Sequence, residues 1–364
     1  MTGRDRNFGP AVNRRVALAM LASVPLATAL KGASARAQDG PVVTIVTDTA
    51  GLGDQNFNDL AVRGLDRAVA ELGVTKNVIE SRDAAQYVPN LTAAAEQSDL
   101  TVGVGFLLTD AITEVAKQFP DKKFLLIDSV AEVENVASVL FREQEGAFLA
   151  GVVAGLTTKT NKLGVIGGVK IPPVVRYAVG FEAGVKSVNP EAEVVVAYAD
   201  NFEDPNLGRE LTLAQYNQGV DIVFPVAGRT GVGSFDAAKE KGEGALVIAA
   251  DTDQSQLGAD QQLCVSTKGV DTAVFTVSEQ VVNEQFQSGV QSLGIKEGGV
   301  GLATPGDKVA PDVLAVAMEY SAAIVDGRVV VPADEDELAA FQPIAPDALG
   351  TPVAGSPVAG TPAP

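Results

Sequence analysis

Val42-Val-Thr-Ile-Val-Thr-Asp48, then Gly51-Leu-Gly-Asp-Gln-Asn-Phe-Asn-Asp59, leading into a segment from Asn58 to Leu72, decides the fold. The first run is β-branched and carries no charge until its end, as a buried strand does. From Asn58 onward the apolar residues Ala61, Leu65, Ala68, Val69 and Leu72 fall at helical spacing, and Gly73 is placed to end the helix as a C-cap. Strand, glycine turn and helix in that order make the first half of a βαβ unit.

The same alternation continues outward. Leu100 to Val104, Phe124 to Ile127 and Val136 to Phe141 read as buried strands, with helices over Asp110 to Gln118 and Glu143 to Leu156. Strands follow at Leu163 to Ile166, Val194 to Tyr198, Ile222 to Val226 and Leu246 to Ala249. Helices are expected between them at Val174 to Val188, Asn206 to Gln218 and Phe235 to Lys241. Such alternation implies right-handed crossovers and parallel sheets, an α/β chain. About ten strands exceed what one compact sheet holds at this spacing, so two lobes are expected, with the first crossing near residues 155 to 160. In sheets of this kind ligands sit beyond the carboxyl ends of the strands.

Those ends carry the polar residues. After the first strand Asp54 can cap the next helix, and Phe57 stands between the amides Asn56 and Asn58. An aromatic ring beside two amides suits a flat, hydrogen-bonding ligand, although the same residues also serve as a hydrophobic staple and caps. Asp110 opens a helix after Gly103-Val-Gly-Phe-Leu-Leu-Thr, where an acid can equally be a simple cap. Asp128 ends the next strand. In the second half Tyr198-Ala-Asp-Asn-Phe202 puts an aromatic at a strand end. Val226-Ala-Gly-Arg-Thr-Gly-Val-Gly233 reads as a glycine loop that lets backbone amides approach a ligand. It lacks the spacing of a phosphate-binding P-loop, and no G-x-G-x-x-G is present. Asp251 and Lys268 follow two further strands, where a carboxylate and an ammonium can share ribose hydroxyls or form a hinge salt bridge.

Composition removes competing chemistries. The chain has 364 residues, a net charge of −19, no histidine and one cysteine, Cys264. Without histidine the usual general base near neutral pH and the commonest metal ligand are gone. A lone cysteine builds neither an internal disulfide nor a Cys–His pair. No cofactor or metal is expected. The acidity argues against nucleic acid as a partner.

The two ends read as separate segments. Arg14-Arg15, the largely apolar run Val16 to Leu30 and Ala35-Arg36-Ala37 form a secretory signal over residues 1–37, with the arginine pair pointing to twin-arginine export. The mature chain then carries 21 basic and 45 acidic residues, a charge of −24. It has no cysteine near the cleavage site to take a lipid. Residues 344–364, with Gly350-Thr-Pro-Val-Ala, Gly355-Ser-Pro-Val-Ala and Gly360-Thr-Pro, form a Gly/Pro/Ala repeat expected to be a flexible tether.

Taken together, Asp54-Gln-Asn-Phe-Asn58, Gly105-Phe-Leu-Leu-Thr-Asp110, Phe119-Pro-Asp-Lys-Lys-Phe124, Phe141-Arg-Glu-Gln-Glu-Gly-Ala-Phe-Leu-Ala-Gly151, Gly180-Phe-Glu-Ala-Gly184, Ala227-Gly-Arg-Thr-Gly231, Asp251-Thr-Asp-Gln254 and Lys268 resemble the basic membrane protein family of ABC-importer solute-binding proteins, the purine nucleoside receptor A-like group. The resemblance spans roughly residues 41 to 332. It implies the type I periplasmic-binding-protein fold, two Rossmann-like lobes joined by three crossings. The lobes are expected over 41–157 plus about 268–292, and over 158–267 plus about 293–343.

The resemblance further implies a non-enzymatic, exported monomer that captures a purine nucleoside and docks on a membrane permease. Phe57 and Phe202 would sandwich the purine, Asn58 and Asp110 would bind its edge, and Gly228, Asp251 and Lys268 would hold the ribose. Three departures stand out: the absent lipid-bearing cysteine, Asp200-Asn201 before Phe202, and Gln55-Asn56 before Phe57. They leave other flat heterocycles such as riboflavin open as ligands. A nucleoside-acting enzyme or a ligand sensor on the same kind of fold is the alternative class.

Overall fold

A computed structural model describes residues 40–350. The expected signal segment at 1–37 and the repeats beyond residue 350 lie outside the described residues. Twelve strands form among them: β1 Val42–Val46, β2 Thr75–Ile79, β3 Leu100–Val104, β4 Lys123–Ile127, β5 Val136–Phe141, β6 Lys162–Gly167, β7 Glu193–Tyr198, β8 Ile222–Val226, β9 Leu246–Asp251, β10 Gln262–Lys268, β11 Gly289–Leu293 and β12 Val300–Ala303. The helices are α1 Phe57–Leu72, α2 Tyr87–Gln97, α3 Thr109–Gln118, α4 Glu143–Thr157, α5 Pro172–Val188, α6 Pro205–Asn217, α7 Arg229–Lys241, α8 Ser255–Gly258, α9 Val270–Val282, α10 Pro311–Val325 and α11 Glu335–Ala340.

The strands sort into two six-stranded sheets with matching orders, β11-β5-β4-β3-β1-β2 and β12-β10-β9-β8-β6-β7. The 2-1-3-4-5 winding of β1–β5 recurs in β6–β10. Pairing is parallel throughout except for β12, which runs antiparallel to β10. Strands β3 and β8 are buried along their whole length, because helices cover both faces of each sheet.

Three features depart from the expectations. Helix α4 packs on α5, α10, β10 and β12, so it travels with the second sheet and the chain first crosses at Arg142, not near 155 to 160. The cause is steric. A Cβ at Gly180 or Gly184 of α5 would collide with the backbone carbonyls of Gln144 and Phe148 on α4, so bare glycines bring the two helix axes close together. The return crossings lie at Gly269, between β10 and α9, and between Leu293 and Val300.

Next, Val226 to Gly233 is not a loop. Helix α7 begins at Arg229, and Gly233 lies where a side chain would strike the carbonyl of Pro205 on the neighbouring α6. Its glycine serves helix contact, and Gly228 alone of the stretch is left in the left-handed region, at φ 53°. Finally, the tether does not begin at 344. Tyr320 donates to Ile344 O at 2.5 Å, Arg328 donates to Leu349 O, and Leu349 is buried. These contacts pin the chain to the second lobe as far as residue 349.

The crossings are tied to one another. Arg142 N donates to Leu293 O at 2.9 Å, and its guanidinium donates to Glu145 at 2.5 Å, to Ser292 O at 3.0 Å and to Glu297. Glu145 accepts in turn from Ile295 N at 2.7 Å. The first and third crossings therefore form one doubled strap.

Candidate functional site

The carboxyl ends of the two sheets face each other across a cleft of roughly 580 Å3, part of it open to solvent. From the first lobe come Asp48 after β1, Phe57 and Asn58 at the start of α1, Gly105 to Leu107 after β3, and Asp128 after β4. From the second come Val174 and Tyr177 on α5, Phe202 after β7, Gly228 after β8 and Asp251 at the end of β9. Lys268 ends β10 at the second crossing.

Six of the seven residues singled out in the sequence line this cleft: Phe57, Asn58, Phe202, Gly228, Asp251 and Lys268. Asp110 does not. It is exposed, one helical turn past Phe106 and Leu107, because Gly105 (φ 109°) turns the chain into a short helical coil that brings those two residues inward. Gly228 suits its position through its backbone, φ 53°, while a Cβ there would lie 3.3 Å from Phe202 O and 3.6 Å from Ala50 Cβ in the opposite lobe, a slightly tight and an ordinary contact.

The floor is a buried ionic cluster. Lys268 Nζ donates to Asp128 Oδ2 at 2.6 Å and to Glu143 Oε1 at 2.9 Å. It also lies 5.0, 5.2 and 5.8 Å from the ring centres of Phe57, Phe141 and Tyr177, within cation–π reach. Glu143 Oε2 accepts from Arg176 Nε at 2.5 Å, and Tyr177 donates to Asp251 Oδ1 at 2.5 Å. Asp128 and Asp251 occupy matching strand ends and both have left-handed backbones, φ 70° and 67°. That conformation is uncommon away from glycine and concentrates where function demands it.

Burial governs the charges. It would lower Lys268, but the carboxylates of Asp128, Glu143 and Asp251 more than offset this and hold the ammonium above its ordinary range. Burial pushes Asp128 up to about 7 against the pull of Lys268, and it raises Asp251, with Lys268 and the Tyr177 hydroxyl pulling back. Burial also lifts Glu143, yet Lys268 and Arg176 together hold it below the ordinary carboxyl value.

Beside Asn58, Asp48 is raised by burial to about 6 while accepting from Asn58 Nδ2 at 2.9 Å. Asp54 caps α1 by accepting from the backbone N–H groups of Asn56, Asn58 and Asp59 at 3.2, 2.7 and 3.1 Å. Burial takes it to about 7 against those bonds.

Two acceptors in the cleft are buried with no partner, Asn58 Oδ1 and Asp128 Oδ1. Buried polar atoms are normally satisfied, so these fit the N–H or O–H donors of a guest. Outside the cleft lining the lobes touch through polar groups. Gln254 Nε2 donates to Gln55 O at 3.3 Å, Gln256 Nε2 to Gln55 Oε1 at 3.3 Å, and Arg63 to Thr252 Oγ1 at 3.3 Å. The two lobes are in contact around the cleft in this structure. Among the described residues no cluster of histidine, cysteine, aspartate and glutamate is arranged to hold a metal ion.

Sequence reading missed Asp48, Glu143, Arg176 and Tyr177. Asp48 did have a signal, its place at the end of the first strand. The other three act through partners distant in the chain.

Two α/β lobes with matching sheets, three crossings and a ligand-sized cleft at the strand ends define a solute-binding clamp of the type I periplasmic-binding-protein fold. The chain belongs to the PnrA-like family of ABC transporter substrate-binding proteins (Bmp), whose family model matches residues 42–335. It is 38% identical over 312 residues to the CD4+ T-cell-stimulating antigen of Listeria monocytogenes, covering 80% of this chain and 87% of that one. It is 33% identical over 339 residues to the ABC transporter nucleoside-binding protein BmpA of Lactococcus lactis, covering 86% and 96%. An ABC transporter solute-binding protein of Aeropyrum pernix superposes with a TM-score of 0.76 at 33% identity, covering 82% and 96%. Proteins of this family work outside the cytoplasm, binding a small molecule and a membrane permease.

Proposed function

We propose that the protein captures a purine nucleoside between its lobes and presents it, unaltered, to an ABC permease. The carrying observation is the composition of one cleft: Phe57 and Phe202, one aromatic ring from each lobe, above a floor of buried hydrogen-bond acceptors gathered round Lys268. Two rings can stack on a planar base, each contributing roughly 0.5–1.5 kcal/mol beyond the area it buries. Asp48, Asn58 and Asp128 present acceptors for base and sugar donors, and Asp251 with Lys268 suits ribose hydroxyls. A guest that fails to match a buried acceptor loses about 1–3 kcal/mol, which is the basis of selection. The Lactococcus lactis relative is named a nucleoside-binding protein, which supports the same reading.

Binding would favour the shut state because the ligand touches both lobes only there. The protein acts as a monomer, has no nucleic-acid partner and leaves its substrate intact. Its signal segment is removed after Ala37, leaving no lipid-bearing cysteine. Calorimetry with guanosine, inosine, adenosine and guanine tests the ligand class, with the nucleosides expected to bind more tightly than the free base. Chromatography of the same mixtures tests turnover, and free base accumulating over many turnovers would overthrow the reading. Intact-mass measurement of exported protein tests the new N-terminus at Gln38.

A further inference from the structure

Glu143 does not line the cleft, is completely buried, and opens the helix that follows the first crossing. Its two oxygens are divided between Lys268 of β10 at 2.9 Å and Arg176 of α5 at 2.5 Å. Helices α4 and α5 and strand β10 all belong to the second lobe's packing unit. Lys268 thus has two carboxylate partners of different kinds. Glu143 moves with it, whereas Asp128 belongs to the first lobe and must separate when the cleft opens. We propose that Glu143 is a positioning residue that keeps Lys268 charged and aimed into the cleft while the lobes are apart, so that an entering guest meets a preformed ammonium.

This inference rests on the substrate-binding reading of the cleft and adds a role for a residue that touches no ligand. Asp251, also in the second lobe, lowers its own charge cost through Lys268. Without Glu143 an opened Lys268 would turn toward Asp251 and occupy an acceptor intended for the guest. Arg176 keeps Glu143 from swinging away, its side chain being largely buried and itself held by that carboxylate. The groups facing Lys268 are therefore Asp128 from the first lobe, Glu143 and Asp251 from the second, with Arg176 behind Glu143 and the rings of Phe57, Phe141 and Tyr177 around it. Molecules in which the ammonium is misdirected would lower the apparent affinity in proportion to their share of the population.

The first test needs no ligand. In protein free of guest, the rate of Lys268 acetylation by an amine-acylating reagent is followed by peptide mass spectrometry, with the partly exposed Lys162 as internal standard. Glu143→Gln is expected to raise the Lys268 rate about tenfold over wild type, reflecting a less firmly held ammonium, with Lys162 unchanged. The second test is a double-mutant cycle read by guanosine calorimetry. Glu143→Gln should weaken binding about tenfold in wild type but no more than about twofold in a Lys268→Met background, since residues acting through one another are not additive.

Equal acetylation rates, or the same loss in both backgrounds, would overturn the assignment. If wild type binds none of the nucleosides, the nucleoside reading fails while the acetylation result still decides the role of Glu143. Should Glu143→Gln not fold, Glu143→Asp withdraws the carboxylate by one methylene and is carried through both measurements.

Discussion

Asp128 and Asp251 end corresponding strands of the two lobes, share a left-handed backbone, and yet are held in opposite ways. Asp251 is bonded inside its own lobe by Tyr177. Asp128 has one oxygen on Lys268 across the divide and the other without a partner. The first arrangement survives opening of the cleft, whereas the second exists only when it is shut. Two near-equivalent positions have thus been given different duties: one lobe carries a finished polar surface, and the other supplies the bond that reports closure.

The largest effect should come from the finished side. Asp251→Ala is expected to cost on the order of 2–3 kcal/mol of guanosine affinity, the scale of a lost charge-assisted hydrogen bond. Binding of guanine, which has no sugar, should hardly change. Calorimetry with both compounds checks this, and equal losses would erase the distinction between the two acids.

Asp128→Asn should be milder, about tenfold, because Lys268 keeps Glu143 as a partner. Its mark would be conformational. Small-angle scattering of the saturated variant should show a larger fraction of open molecules than saturated wild type.

Acidification separates binding from stability. Ligand donors need ionised acceptors, so guanosine affinity should fall as the pH drops through about 7 and then about 6, where Asp128 and Asp48 take up protons. Stability runs the other way. Asp48, Asp54 and Asp128 have folded values above the ordinary carboxyl range, so between roughly pH 4 and 7 the folded state binds more protons than the unfolded one. Their contribution to stability therefore rises on acidification across that window. Thermal melts of guest-free protein at pH 8 and 5.5, set beside calorimetry at the same values, would show the crossing. Parallel trends would mean that these acids are not the ligand's acceptors.

Smallest of all should be Asp110→Ala. An exposed carboxylate outside the cleft lining is screened by water, and its loss should change affinity by no more than about fivefold. A loss comparable to that of Asp251→Ala would place Asp110 against the base after all.

What could be read directly from the chain follows from distance along it. The strands Leu100–Val104, Val136–Phe141 and Ile222–Val226 announced themselves as uncharged, mostly apolar runs, and Phe57, Phe202, Asp251 and Lys268 stood at or near strand ends where topology exposes them. Edge strand β2, Thr-Lys-Asn-Val-Ile, is half polar and gave no such signal. Helix α2 carries Pro89 within its first turn and lacks a side-chain N-cap. The floor was harder still. Glu143 meets Arg176 from 33 residues away, and Tyr177 meets Asp251 from 74. In sequence Glu143 is merely an acid at a helix start, a position the helix dipole favours anyway. The crossing at Arg142 was misplaced for a related reason: the affiliation of α4 is decided by glycines on α5, a partner the chain has not yet reached.

The bare contact between α4 and α5 sets the manufacturing tolerance of the clamp. Where two helices meet backbone to backbone, there is no flexible side chain to absorb an error in spacing. Glu143 stands on the first turn of one helix and Arg176 on the other, so any widening at Gly180 or Gly184 is transmitted to the carboxylate that steadies Lys268. A single added methyl far from the cleft would detune the binding site, and the precision of its floor is stored in residues that have no side chain.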